Sequence, residues 1–190
     1  MSDASRILRP ADWQEQPWPN GGGVTHEIAS EYDGDTLLWR FSTARVDCDG
    51  AYSLFPGLVR ISTVIEGPGT LLRDTATGAE IDIQPLTPTN LEGDALYEGS
   101  LKGEPLRHLN FFFNPSRVNA DVQTLCAYGT KATHVIDGTT LIFCVAGTFE
   151  MQNLTVHGRE TLIGPAISTP LRLDPGAVVI AVAVKRIELE

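Results

Sequence analysis

The sequence predicts an all-β chain, a sandwich or a barrel, on three observations. Short stretches of alternating apolar and polar residues recur along most of its 190 residues. Gly, Pro, Asn and Asp clusters separate them at short intervals, and no stretch carries the apolar period of a long helix. An apolar strand running into a glycine corner and a return hairpin occurs twice, at Ile65-Glu66-Gly67 and at Val145-Ala146-Gly147, which reads as an internal repeat. Two packed barrel-like lobes follow from that repeat, residues 1–115 and 116–190 of a single unit.

Ile7 to Trp13 reads as a short edge strand and a helical turn, after which Pro17 and Pro19 hold the chain extended. Gly21, Gly22 and Gly23 have no Cβ, so their backbone can approach a ligand or another segment closely, and Pro17 to Ile28 reads as a binding loop entering a strand. A phosphate loop is excluded, because no Gly-Lys-Ser/Thr ending follows and Val24 to Ile28 alternates as strand. Asp33-Gly34 turns strand Val24 to Ala29 into strand Leu37 to Val46. Strand side chains alternate, so Leu37, Trp39, Phe41 and Thr43 take a core face. Leu38, Arg40, Ser42 and Ala44 take the other, which suits a ligand cavity or a wet outer face equally.

Asp49-Gly50 is a turn, and Phe55-Pro56-Gly57 suits a type II turn. In strand Leu58 to Glu66, Arg60 again shares a face with a serine, Ser62, opposite Val59, Ile61 and Thr63. Thr70 to Arg73 follows Gly67-Pro68-Gly69, and Pro85 and Pro88 limit Ile81 to Leu91 to short or edge strand. Leu106 to Phe113 sets Leu109, Phe111 and Phe113 on one face and His108, Asn110 and Phe112 on the other. Ser116 to Asp121 is a polar connection. The second series comprises Thr139 to Ala146, Gly147 to Gln152, Leu154 to Val156, Ser168 to Leu173 and Val178 to Ile187, with a corner at Asp174-Pro175-Gly176.

A net charge of −10 without any Lys/Arg cluster excludes non-specific nucleic-acid binding. The N-terminus lacks an apolar signal region and no apolar run reaches the length of a membrane span, so a cytoplasmic protein is expected. Cys48, Cys126 and Cys144 have no metal-knuckle spacing and read as reduced thiols. The four histidines, His26, His108, His134 and His157, are scattered without a His-x-His pair, so no metal and no cofactor is expected. His26 and Glu27 are neighbours on a strand and face opposite ways, so at most one of them reaches a cavity.

Arg40 and Arg60 are the best anion-binding candidates, because a guanidinium presents a planar fork that matches a carboxylate. Glu27 either joins that site or pairs with Arg40 or Arg60 across the sheet. Asn20 and Asn110 add amide donors and acceptors, and Trp18 or Phe112 can cover a planar ligand. Ser42 and Ser62 lack a His/Asp partner pattern, which leaves nucleophilic catalysis without support.

Taken in order, Trp18, Asn20-Gly21-Gly22-Gly23, Thr25, Glu27-Ile28, Trp39-Arg40, Ser42, Ala44, Phe55-Pro56-Gly57, Arg60, Gly93-Asp94, Leu109-Asn110 and Arg117 resemble the HutD/Ves family of small bacterial proteins over residues 7 to 120. His108 departs from the pattern, standing where the family carries an acidic residue. The resemblance implies a bicupin-like fold, an RmlC-like jelly roll, and an association with histidine utilisation or stress response. The ligand-binding set it marks here is Trp18, Asn20, Gly21, Gly22, Thr25, Glu27, Arg40, Ser42, Arg60, His108 and Asn110. The leading expectation is a binding or regulatory protein for a small anionic metabolite such as urocanate or formylglutamate. Its rivals are a metal-independent isomerase or hydrolase using Glu27 or His108 as base, and an interaction protein with a vestigial pocket that forms a homodimer through apolar outer strand faces.

Overall fold

The computed structural model describes residues 5–18 and 22–188. Among them there is no α-helix, and the helical turn expected before Trp13 is a 3-10 turn at Pro10–Asp12. The chain divides into two compact units, one holding residues 14–118 and the other built from the N-terminal segment up to Trp13 and from Asn119 onward. The expected lobe boundary assigned the first thirteen residues elsewhere. They fall with the C-terminal strands because β1 (Arg6–Leu8) pairs antiparallel with residues 161–163, and Gly164, whose Cβ would lie 2.5 Å from Ser5 Oγ, lets the segment come that close.

The 14–118 unit carries β2 (Gln14–Pro17), β3 (Gly23–Asp33), β4 (Thr36–Val46), β5 (Gly50–Ala51), β6 (Val59–Glu66), β7 (Thr70–Asp74), β8 (Glu80–Ile83), β9 (Thr89–Glu92), β10 (Tyr97–Leu101) and β11 (Leu106–Phe113). One sheet runs β2-β3-β4-β11-β6-β9 and a second runs β5-β10-β7-β8. Val46, Val64, Leu91 and Leu106 from the first meet Leu72, Ile83 and Tyr97 from the second in one core cluster, and each fully buried aliphatic side chain contributes about 1.5–3 kcal/mol. The Asp33-Gly34 hairpin forms with Asp33 opposite Thr36 and Gly34 at φ 57°. The type II turn forms too, with Gly57 at φ 75° and Leu58 N–H donating to Phe55 O at 3.1 Å. Asp49-Gly50, expected as a turn, instead opens the short strand β5, which pairs with β10.

The other unit joins β1 to β12 (Val118–Cys126), β13 (Ala132–Ala146), β14 (Thr148–Met151), β15 (Leu154–His157), β16 (Thr161–Leu173) and β17 (Val178–Arg186) in the order β12-β17-β13-β16-β14-β15. The segment expected as a polar connection therefore enters a strand at Val118. The repeat is visible in the pairing: β4-β11-β6 in one unit matches β12-β17-β13 in the other. Both glycine corners are needed. Gly67 lies at φ 95° with a would-be Cβ 2.9 Å from Leu106 Cβ, and Gly147 at φ 74° with one 2.8 Å from Ala177 Cα.

Candidate functional site

Strand register builds the site. On one face of β11, Phe112 lies between Arg40 of β4 and Arg60 of β6, Asn110 between Ser42 and Ser62, and His108 between Ala44 and Val64. The lower part of this face continues into the apolar core through Val46 and Val64, while the upper part surrounds a cavity of ≈ 50 Å³ lined by Trp18, Thr25, Arg40, Ser42, Tyr52, Arg60 and Asn110 among others. The alternation expected for β4, β6 and β11 thus places Arg40, Ser42, Arg60 and Asn110 at one cavity.

Arg60 is the centre of it. The residue is 8% exposed, its Nε donates to Asn110 Oδ1 at 3.0 Å, and its guanidinium lies 5.0 Å from the Tyr52 ring centre and 5.5 Å from that of Phe112. Among the described residues no carboxylate pairs with it. Burial lowers its pKa to about 10, against a smaller opposing effect from Tyr52 and Tyr97, so it remains a cation near neutrality. A buried guanidinium held by its Nε and by two rings leaves its terminal nitrogens for a carboxylate.

Beneath it runs a directed chain. Asn110 Oδ1 only accepts, so the 2.9 Å contact from Ser62 Oγ needs the serine proton. Ser62 Oγ then accepts from His108 Nδ1 at 2.9 Å, which leaves His108 Nε2 to accept from the Tyr52 hydroxyl at 2.8 Å. His108 is fully buried, and burial first, then the Arg60 charge, hold its pKa well below the usual range. With the imidazole neutral, this chain puts its proton on Nδ1. Burial likewise pushes the Tyr52 phenol up, keeping it a donor.

Arg40 stands differently. Its Nε lies 2.8 Å from Glu27 Oε2, an ion pair without hydrogen-bond alignment, and its Nη2 donates to Gln16 Oε1 at 3.0 Å. Glu27 also accepts from Ser30 Oγ at 2.8 Å. Of the two pairings open in the sequence, the carboxylate is therefore Arg40's partner. It is absent from the cavity lining, as is His108, which supports the floor from below. Ser42 is 1% exposed, and its hydroxyl has no hydrogen-bond partner among the described residues.

The loop motifs act as scaffold. Trp18 Nε1 donates to Thr25 Oγ1 at 2.9 Å, and the indole covers Gly23, whose Cβ would lie 2.1 Å from Arg45 O. Gly22 O accepts from Asp47 N at 3.0 Å and Gly22 is not part of the lining, while Asn20 and Gly21 lie outside the described residues. Gly93 fits between Phe55 O and Leu58 O, each 2.3 Å from a would-be Cβ, and Asp94 accepts from Gly57 N at 3.2 Å, so two separate motifs lock one turn. That turn carries Phe55, whose ring centre is 4.2 Å from that of Phe112. Tyr52 and Ser53 also line the cavity and were not singled out from sequence. They sit in an irregular segment without periodicity.

His26 lies 3.3 Å from Glu15, His134 contacts Cys126 O and His157 contacts Thr148. Among the described residues no group of three His, Cys, Asp or Glu side chains is placed to hold a metal ion. No described helix is long and apolar enough to cross a membrane.

The chain and its fold are shared with known proteins. A protein of Pseudomonas putida described as an uncharacterized 21.2 kDa protein in the hutC 3′ region is 31% identical over 163 residues, covering 82% of this chain and 80% of its own. HutD from Pseudomonas fluorescens SBW25 superposes with a TM-score of 0.78 at 26% identity, over 96% of this chain and 100% of that one. YhhW from Escherichia coli, at 9% identity, a TM-score of 0.69 and coverage of 98% and 100%, shares the fold alone, a cupin-like one. The HutD family model matches residues 10–172, and the chain belongs to the HutD family.

Proposed function

We propose that the 14–118 unit is a receptor for a small carboxylate anion. The observation that carries this reading is Arg60, a buried cation beside a cavity with no carboxylate partner among the described residues. Leaving a desolvated charge unpaired costs several kcal/mol, and an anionic ligand removes that cost. The Ser42 hydroxyl, without a partner among the described residues, offers a further donor, and Trp18, Phe55 and Phe112 supply apolar and aromatic surface for the ligand body. Binding is favoured over turnover, because both candidate bases are engaged: Glu27 by Arg40 and Ser30, His108 by Ser62 and Tyr52. The names of its relatives direct the ligand search to histidine utilisation, where urocanate and formylglutamate, both carboxylates, are the first metabolites to test. A thermal-shift series over small carboxylates, repeated on Arg60→Ala, tests the reading, since a ligand that binds only the folded form raises Tm. Stabilisation of the native protein that disappears in the variant is expected. No shift with any carboxylate refutes it.

A further inference from the structure

The Nε–H bond to Asn110 fixes only the near end of the Arg60 guanidinium. Its plane is governed by the two rings that Cζ lies over, Phe112 at 5.5 Å and Tyr52 at 5.0 Å. Phe112 is set by register, directly beside Arg60 on β11. Tyr52 is not, for it stands in the irregular segment after β5 and enters from the second sheet, where its N–H donates to Tyr97 O at 2.8 Å. Gly99 makes room for its ring. This residue lies inside β10 opposite Gly50 and Leu72, without a positive φ, so the backbone does not require a glycine there, and a glycine inside a strand weakens it. A Cβ at that position, however, would lie 2.4 Å from Tyr52 Cε2 and 3.2 Å from Tyr52 Cδ2. We infer that Tyr52, seated on Gly99, is a positioning residue of the receptor, whose ring face fixes the Arg60 guanidinium in the orientation that meets the ligand's carboxylate. This rests on the receptor reading above and adds the pair of residues that holds its cation in place.

The seat holds the ring on more than one side. Below the guanidinium the Tyr52 hydroxyl lies 2.8 Å from His108 Nε2, and the two rings meet edge to face with centres 5.8 Å apart at 78°. A phenol can donate or accept, so this anchor forms whichever partner carries the proton. An aromatic face attracts a cation and an aliphatic side chain does not, so a residue that merely filled the space would leave the guanidinium free to turn. That freedom matters to binding. A guanidinium already fixed gives up little rotamer freedom when the anion arrives, whereas one that must be ordered at that moment lowers affinity about threefold to tenfold. The atoms that a Cβ at Gly99 would meet within 3.2 Å belong to the Tyr52 and Leu72 side chains, so Gly99→Ala displaces the ring rather than the strand and leaves every cavity-lining residue in the sequence unchanged.

The test is calorimetric titration of the full chain with formylglutamate, urocanate and acetate, on the native protein and on Arg60→Ala, Tyr52→Leu, Tyr52→Phe and Gly99→Ala, with denaturant unfolding of the same samples. Tyr52→Leu should bind about tenfold more weakly than native protein and Gly99→Ala about threefold to tenfold more weakly. Tyr52→Phe keeps the ring on its seat and should stay within about threefold of native affinity. Without any ligand, 1H–15N spectra should show the Arg60 Nε–H as a signal dispersed from those of exposed arginines in native protein and Tyr52→Phe, and moved toward them in Tyr52→Leu and Gly99→Ala. A folded Tyr52→Leu that loses stability while keeping native affinity and the native Arg60 signal overturns the inference, because Tyr52 would then only pack the core. Tyr52→Phe falling as far as Tyr52→Leu overturns it too. If Gly99→Ala does not fold, the two Tyr52 variants decide it. Native protein that binds none of the three carboxylates overturns the receptor reading, and the ligand-free spectra then still decide whether Tyr52 fixes Arg60. Binding that depends on Arg60 but not on Tyr52 overturns only this inference.

Discussion

Replacing Arg60 by Met separates a binding cation from a structural one. The side chain is 8% exposed and burial brings its pKa down to about 10, which costs the charged form about 3 kcal/mol. Met fills similar length without that cost. The change also removes the Nε–H bond to Asn110 Oδ1, worth about 1 kcal/mol, and two cation–ring contacts worth about 0.5–1 kcal/mol each. Asn110 Oδ1 keeps its bond from Ser62, so no buried acceptor is orphaned. Gains and losses nearly cancel, and the ligand-free Arg60→Met protein should match the native Tm to within about 2–4 °C or exceed it. Carboxylate affinity should fall about tenfold to a hundredfold, the loss of a charge-assisted contact worth about 1.5–3 kcal/mol. Arg60→Lys should recover part of it, keeping the charge but not the fork. Calorimetry and denaturant unfolding of the same samples read both quantities. A variant that loses more than about 3 kcal/mol of stability while holding its anion affinity would refute the reasoning, because Arg60 would then be a structural residue.

Further expectations follow from the same geometry. His108 has its folded pKa depressed by burial and by Arg60, so below about pH 6.5 the unfolded chain takes up a proton that the folded chain refuses, and stability is lost as pH falls by up to about 1.4 kcal/mol per pH unit; His108→Asn should flatten that slope between pH 6.5 and 5.5 in denaturant titrations, and an unchanged slope counts against it. Ser42 Oγ is buried without a partner among the described residues, so Ser42→Ala should leave ligand-free stability unchanged or raise it by about 1 kcal/mol while weakening carboxylate binding; a clear loss of stability would show that the hydroxyl is satisfied. Gly147 and Gly138 both have positive φ, but only Gly147 would press a Cβ against the Ala177 backbone. Gly147→Ala should therefore cost at least about 1 kcal/mol more than Gly138→Ala by chemical denaturation.

Alternation made part of the site legible. In β4, β6 and β11 a period of two sets arginine, serine and asparagine on one face and bulky apolar groups on the other, so Arg40, Ser42, Arg60 and Asn110 could be grouped before any register was known. Which arginine Glu27 meets was not legible. That depends on β3 pairing Glu27 with Ser42 and on the bulge between Glu27 and Ala29, which are facts of register rather than composition. Tyr52 was missed for a related reason: it reaches His108 from a segment without periodicity, across 56 residues of chain. The pairing of β1 with β16 is equally remote, and the Gly164-Pro165 dipeptide masks a strand that runs from Thr161 to Leu173.

The repeated frame also works as an internal control. In the 14–118 unit, Ser62 faces Asn110 and Val64 faces His108; at the matching rungs of the other unit, Ile142 faces Ala181 and Cys144 faces Val179, all four fully or almost fully buried. At these rungs one copy thus holds polar side chains and the other apolar ones with a buried thiol. Apolar rungs contribute transfer free energy outright, whereas polar ones offset much of their hydrogen bonding by lost hydration. On the proposed receptor reading the two halves specialise: one copy is free to maximise stability, while the other gives up stability for recognition. Amide exchange should register that asymmetry inside a single molecule, with β6 and β11 opening at lower free energy than β13 and β17 until an anion is bound.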